Sequence, residues 1–599
     1  MRQLILLLTF LTSAFARDSR PNILWITSED NAAHWLGCYG NAQASTPRLD
    51  RLASEGNRFS NAFSNAAVCA VARSTIFTGV HAPGQGTHHM RSRHPIPAEI
   101  LPYVTYFRKA GYHTTNQSKT DYNFKGNDSA WWDESSNRAH YRNRSAGQPF
   151  FAVINEHVTH ESSLFPEKRG QGRTRIAPED VMVPPHLPDL PEVRADIAVY
   201  HDKISQLDQR VGQILDQLEA DGLADDTIVF YYADHGGPMP RGKRYLEDTG
   251  VHVPLIVRVP KKWQHLSPFA LGDVVEELVS FVDFAPTVLS LIGIPTPDYM
   301  QGRAFLGEHR AVPGDGVFLY ADRFDEFYGM RRGWTDGRWK YIRRFSPHLP
   351  AAPYSTYQFS MPSWVAIRQA WLDGKLEKSH ARMWEAPQEI EVLYDTESDP
   401  WEVRNLADDP QHAVRLVGMR DRLKREMAAM KDAGVIPEPM FADLAKNSTI
   451  AEFVRSADFD HAAALDLAFA ATSGDLADAR TLKQAASSTC PVQRHWALLG
   501  MLLRGGGDPD DLRLEDDHPI NRILSAELLI ANGDADAGKN ALVVELNRTT
   551  GESALAAINA IHHHRITGEA VDAWANAILK DRKSNEYLKR WAQKILGGR

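Results

Sequence analysis

Four short apolar runs constrain the fold of this chain more than any other feature. Pro21-Asn22-Ile23-Leu24-Trp25-Ile26-Thr27-Ser28, Phe150–Asn155, Thr227–Asp234 and Val253–Arg258 are nearly continuous in apolar residues and end in polar ones. That is the pattern of parallel strands buried on both faces. Between the second and third runs, roughly Val193 to Leu223, apolar residues recur near helical spacing, and Gly222 stands at the end. Strands alternating with helices predict an α/β fold that binds ligands at the carboxyl ends of its strands. The runs beginning at Pro21, Phe150 and Thr227 are each followed by charged or imidazole residues, where that rule puts a site.

At 599 residues the chain exceeds what one core usually supports, so two or three domains are expected. Residues 1–16 read as a secretory signal: Arg2, the apolar stretch Leu4–Leu11, then Ala14-Phe15-Ala16 as a cleavage box. The stretch is too short for a membrane anchor and no later segment is apolar enough, so a secreted or periplasmic protein without a membrane span is expected. The net charge of -9 comes without a basic stripe, which argues against nucleic acid as a partner. Three cysteines, Cys38, Cys69 and Cys490, are not a disulfide framework.

The strand ends carry chemistry. The first gives Glu29-Asp30 and the third gives Asp234-His235-Gly236-Gly237. A strand-end acid often caps the next helix, but two acidic sites with one imidazole suit a divalent cation. Mostly oxygen ligands favour Ca²⁺ or Mg²⁺ over zinc. In Ala67–Thr75, Cys69 is followed by Arg73 and then by the helix-like Ser74–Gly79. This run resembles the signature of the sulfatases, Cys-x-(Pro/Ala/Ser)-x-Arg followed by Thr-Gly, whose cysteine is oxidised to formylglycine; Val71 replaces the small residue or proline. Ser28–Asn31 and Asp234–Gly236 look like that family's two metal segments. The resemblance implies that Glu29, Asp30, Asp234 and His235 hold Ca²⁺ together with the modified Cys69.

Further segments follow in the family's order. Gly111–Thr120 is similar to its Gly-Tyr-x-Thr…Gly-Lys segment, with Ser118 replacing the glycine, and Pro240–Arg244 supplies Lys243. Arg73, Lys119 and Lys243 provide the cations that a sulfate ester needs as charge builds on its oxygens. His160, in Thr159-His160-Glu161-Ser162, matches the family histidine that binds sulfate and protonates the leaving oxygen, as in relatives that resemble sulfamidases and polysaccharide sulfatases. His157 reads as a loop or core histidine. His88-His89-Met90-Arg91 is family-like too, which puts His89 and Arg91 toward the sugar. Glu391–Asp395 and Asp399–Leu406 resemble the Leu-Tyr-Asp…Asp-Pro-x-Glu-x-x-Asn-Leu marker, extending the resemblance over roughly residues 20–430.

The resemblance implies a type I sulfatase of the alkaline-phosphatase-like superfamily. The expected fold is a sandwich around a mostly parallel central sheet (residues 17–310), then a smaller α+β subdomain (311–445). The implied reaction converts Cys69 to an aldehyde whose hydrate attacks sulfur, with the alcohol leaving and the second hydroxyl expelling sulfate. A formylglycine-generating or anaerobic maturation enzyme is then a partner. The expected substrate is a sulfated polysaccharide or oligosaccharide, because residues 317–390 are dense in aromatics and arginines, a mixture suited to sulfated sugars, with a place in the core as the other reading of many of them. The alternatives are an N-sulfoglucosamine sulfohydrolase-like activity, a phosphatase or phosphodiesterase of the superfamily, and an unmatured glycan-binding protein. Against the phosphatase stand Cys69 in place of Ser or Thr and the oxygen-rich ligands.

Residues 446–599 lie outside the resemblance. Apolar blocks at 462–471, 491–504, 519–531, 552–561 and 586–596 predict helices spaced about thirty residues apart, a HEAT-like repeat. Its surface would bind a partner, pair two copies of the chain or cap the catalytic domain. His562-His563-His564 read as solvated.

Overall fold

The computed structural model describes residues 20–170, 172–473 and 476–597; the secretory signal expected over residues 1–16 lies outside them. In chain order the strands are β1 (Asn22–Ser28), β2 (Asn57–Phe59), β3 (Ala62–Phe63), β4 (His113–Gln117), β5 (Glu134–Ser135), β6 (Phe150–Glu156) and β7 (Thr227–Ala233). They continue with β8 (Leu255–Arg258), β9 (Val274–Val275), β10 (Val279–Ser280), β11 (Val317–Ala321), β12 (Arg331–Thr335), β13 (Trp339–Arg344) and β14 (Glu391–Asp395). An eight-stranded sheet runs β5-β4-β6-β1-β7-β8-β2-β9, and β10 pairs with β3 apart from it.

The strands β5 to β7 of this sheet are parallel. The fourth apolar run was expected to be parallel as well, but β8 lies antiparallel to β7. Continuous burial says that both faces of a strand are covered, not which way it runs. In β1, Ile23 and Trp25 join the core on one face while Leu24 and Ile26 join the core on the other. That accounts for the unbroken apolar run: successive side chains alternate between two buried faces. The long helix Pro191–Ala220 covers the second face with Val193, Ile197, Ile204, Leu207 and Val211, all fully buried. Among the described residues no helix is long and apolar enough to cross a membrane.

A second, antiparallel sheet of order β11-β12-β13-β14 carries the helix Ala413–Met430 on it. Its core continues without a break into the helices that follow, through Phe345, Phe469 and Trp496. The indole of Trp496 donates to the carbonyl of Val435 at 2.8 Å. Helices His461–Ala471, Pro491–Leu503, Pro519–Ala531, Gly551–His563 and Glu586–Gly597 match the expected blocks to within about two residues. Helices Leu476–Ala485, Ala535–Arg548 and Glu569–Lys580 alternate with them.

Two expectations are corrected here. The aromatic and arginine residues of 317–390 are mostly interior: Tyr320, Phe324, Trp334, Trp339, Trp364 and Trp384 are buried. Arg332 is buried between Asp322 (2.9 Å) and Asp432 (2.6 Å), so Arg332, Tyr320, Phe324, Trp334 and Trp339 fasten the second sheet, while Trp364 and Trp384 join the core under the long helix. The three consecutive histidines are half-buried instead of fully solvated. The His562 ring packs on Trp591 with centroids 4.8 Å apart, and His564 Nε2 lies 3.1 Å from Glu527 Oε1.

Candidate active site

The ends of β1, β6 and β7 meet the start of one short helix. Glu29 and Asp30 follow β1, with the Glu29 amide donating to the carbonyl of Glu156 at the end of β6. Asp234 follows β7, and its amide donates to Ser28 O. Asp30 has φ 48°, a left-handed backbone that a non-glycine residue rarely adopts. The Asp30 amide donates to Asp234 Oδ1 (3.2 Å), and the Asp30 carboxylate accepts from the Glu161 amide (2.7 Å). Adjacent parallel strands thus deliver acids from distant parts of the sequence to one point.

Cys69 is the first residue of the helix Cys69–Thr78, all ten of whose residues are buried. The amides of a first helical turn have no partners within the helix, and the helix dipole adds positive potential there. Cys69 Sγ lies 3.4 Å from Asp121 Oδ2 and 3.9 Å from an Arg91 guanidinium nitrogen. Four residues on, Arg73 Nε meets Asp234 Oδ2 at 3.2 Å and its NH1 donates to Asn155 Oδ1 at 2.8 Å. Gly79, with φ 69°, ends the helix by donating its amide to Thr75 O.

Asp30, Asp234 and His235 have no exposed surface. Their ligand atoms lie within 4.8 Å of one another, as do those of Asp30, His160 and Glu161. His235 Nε2 is 3.1 Å from Asp30 Oδ1 and 3.6 Å from Asp234 Oδ1, yet makes no hydrogen bond among the described residues. Burial alone would lower the His235 imidazole, but Asp234 and Asp30 push it up to about 10. Two buried carboxylates converging on an unpartnered imidazole nitrogen fit a hard divalent cation, which would take the place of that proton.

Glu29 and Cys69, expected among the same ligands, stand outside both groups of ligand atoms. The Glu29 carboxylate turns to Lys119 and to His157 Nδ1 (3.2 Å), with Arg73 at 4.0 Å. Burial would raise that carboxyl, but Lys119, His157, His160 and Arg73 hold it well below the usual range. Conversely, Cys69 and Glu29 push the Lys119 ammonium up to about 12 against the effect of burial. Lys243 Nζ contacts Asp30 Oδ2 (2.9 Å), Glu161 Oε1 (3.2 Å) and His160 Nε2 (3.4 Å). His160 Nδ1 lies 3.0 Å from Ser162 Oγ and 3.3 Å from the Ser162 amide, so Ser162 orients the ring, while Nε2 faces the Lys243 ammonium. Burial and then Lys243 lower the His160 imidazole.

The fold therefore brings Cys69, Arg73, Lys119, His160, Lys243, Asp30, Asp234 and His235 together. Arg91 stands at the rim, half-exposed and paired with Asp121 at 3.1 Å. His89 is nearly buried: its Nδ1 accepts from the Arg323 amide (3.3 Å) and lies 3.8 Å from Glu438. His157, read as a loop or core histidine, is an exposed loop residue, and its Nδ1 borders the site 3.2 Å from Glu29 Oε1. Glu161 and Arg244 were also missed, though each adjoins a residue already singled out; they pair at 2.9 Å. Asp121 and Asn155 carry no motif, so only the fold reveals them. Chemically, buried cations and a helix N-terminus beside a cation-binding pocket suit a tetrahedral oxyanion.

Residues 21–152 and 140–294 match the family model described as Sulfatase. An "Ulvan-active sulfatase" of Formosa agariphila is 37% identical, over 70% of this chain and 76% of the relative. An N-sulphoglucosamine sulphohydrolase of Homo sapiens is 26% identical, over 68% of this chain and 90% of the relative. Among solved structures, one in complex with its substrate D-glucosamine-2-N,6-O-disulfate aligns with a TM-score of 0.51 at 17% identity, over 69% of this chain and 98% of the other. A "2-O GAG sulfatase" also gives 0.51, at 18% identity, over 69% of this chain and 93% of the other.

Proposed function

From the premise that this chain belongs to the sulfatase family and is a sulfatase, we propose that it hydrolyses sulfate esters on a sulfated polysaccharide or its oligosaccharides, with Cys69 converted to formylglycine and Ca²⁺ bound beside it. The observation that carries this reading is the convergence of Asp30, Asp234 and His235 with Arg73, Lys119 and Lys243 on the buried helix start that bears Cys69. The substrate class draws on the ulvan-active relative.

Asp30, Asp234 and His235 would hold the cation, with Glu29 and the converted Cys69 as the further ligands expected from the sequence. The converted residue supplies an oxygen nucleophile and the cation a Lewis acid for the sulfate oxygens. Arg73, Lys119 and Lys243 neutralise the sulfate and hold it for in-line attack. His160 Nε2 gives its proton to the leaving sugar oxygen while Ser162 fixes the ring through Nδ1. Glu161, held by Arg244, keeps Lys243 in place. A secreted or periplasmic site of action and a maturation enzyme as partner belong to the same proposal.

The test is the mass of the tryptic peptide Phe59–Arg73, combined with sulfate release from ulvan oligosaccharides. The expected result is the mass loss for replacing CH₂SH by CHO, with release abolished in Cys69→Ala and by chelation of the cation. An intact thiol in protein matured in its native cells, together with no release, would sink the reading and favour a glycan-binding protein. Release of N-sulfate in preference to O-sulfate would redirect it toward the sulphohydrolase relative.

A further inference from the structure

The helical region beyond the family match reaches back to the pocket mouth. Helix Gly551–His563 fastens it there: Asn559 donates to Glu326 O at 2.8 Å and Glu552 O accepts from the Tyr328 hydroxyl at 3.3 Å. The last helix, Glu586–Gly597, then lays Tyr587 and Arg590 beside the site. The Arg590 guanidinium stands 5.2 Å from the ring centre of Tyr357 and 5.6 Å from that of Tyr587. Tyr357 in turn lies 6.4 Å, ring to ring, from His160. On its other side Tyr587 packs against Arg323 at 5.0 Å.

Both side chains keep unused bonding capacity. The Tyr587 hydroxyl is buried and makes no hydrogen bond among the described residues, an uncommon and costly condition for a polar group. Arg590 Nη1 also makes no hydrogen bond, although the guanidinium is ion-paired with Asp325 (3.7 Å), Glu326 (3.6 Å) and, through Nε, Glu586 (3.5 Å). Arg73, Lys119 and Lys243 are the cations assigned above to one sulfate, and Arg91, paired with Asp121, and Arg590, paired with Asp325 and Glu326, stand outside them. A phenol, two aromatic faces and an outer pair of guanidiniums suit a sugar ring that bears more than one acidic group.

We propose that the last helix is the outer wall of the catalytic pocket, with the Tyr587 hydroxyl binding a hydroxyl of the sugar that carries the scissile sulfate and Arg590 binding a second acidic substituent of the glycan. This rests on the sulfatase reading and goes beyond it by making residues outside the family match set the substrate preference.

Two substitutions test it, Tyr587→Phe, which removes only the hydroxyl, and Arg590→Gln. Each is assayed on ulvan oligosaccharides, on D-glucosamine-2-N,6-O-disulfate and on a small aryl sulfate. In each variant KM for the better glycan rises about tenfold, the size expected for one lost hydrogen bond, with kcat changed less than about twofold. The glycan-to-aryl preference in kcat/KM falls by a similar factor, and Lys589→Gln on the same helix changes neither constant. An unchanged preference in both folded variants would overturn the proposal, because a structural role lowers all substrates in parallel. Wild-type protein that cleaves the aryl ester but neither glycan would overturn it too. Failure to release sulfate from any ester would instead remove the sulfatase reading beneath it.

Discussion

Asp30 shows how much one residue can be asked to do. Its amide, its carboxylate and its carbonyl bind Asp234, the Glu161 amide and Lys243, and the Tyr200 hydroxyl, all in a left-handed backbone. Burial would raise its carboxyl, but Lys243, His160 and His235 hold it well below the usual range. The cations around it differ in what their loss would do. Lys119 is braced by Glu29 at the site's edge, so Lys119→Ala should fold and lose about 10²- to 10³-fold in kcat/KM, as when one donor to a developing oxyanion is removed; steady-state kinetics on an aryl sulfate checks this. At this scale the sequence was readable wherever a motif named a residue. It failed for Asp121, 52 positions from Cys69 yet 3.4 Å from its sulfur.

Elements are joined through their loops more than through their strands. Arg244, after β7, is gripped by Glu161 from the loop after β6 and by Asp325 from the loop after β11. This links the large sheet's ligand loops to the second sheet. Burial would raise the Glu161 carboxyl, but Arg244 and Lys243 lower it to about 2. A depressed carboxyl adds stability that is present above its unfolded value and lost as pH falls through the folded one. The Glu161 contribution is therefore complete above about pH 4.3 and disappears between there and about 2. Thermal melts from pH 6 to 3 should show a shallower acid loss in Glu161→Gln than in the parent, from a lower starting Tm. Elements were readable where composition was one-sided, as in the buried strands and the Ala- and Leu-rich helices. Ala535–Arg548, with Asp536, Gly538, Lys539 and Asn540 in its first half, gave no apolar period to find.

The molecule as a whole is fastened by a core that does not respect the limits of the family match. Phe345, Leu393, Met427 and Ile436 share one apolar cluster with Leu465, Phe469, Trp496 and Leu498. Removing residues 446–599 would strip that cluster of one side, and exposing several large side chains costs about 2 kcal/mol each. The shortened chain should aggregate on expression and bind hydrophobic dye; a monomeric, cooperatively melting product would contradict this. By itself the sequence determined the buried sheet and the helical tail, because these follow from periodicity, and it supplied the ordered acids, cations and cysteine of the site through their resemblance to the sulfatase segments. Only the tertiary structure decided the direction of β8, the interior place of the 317–390 aromatics, the part of Asp121, Asn155 and His157, and the return of the last helix to the pocket. Those depend on which surfaces meet across hundreds of residues, and no local pattern records such a meeting.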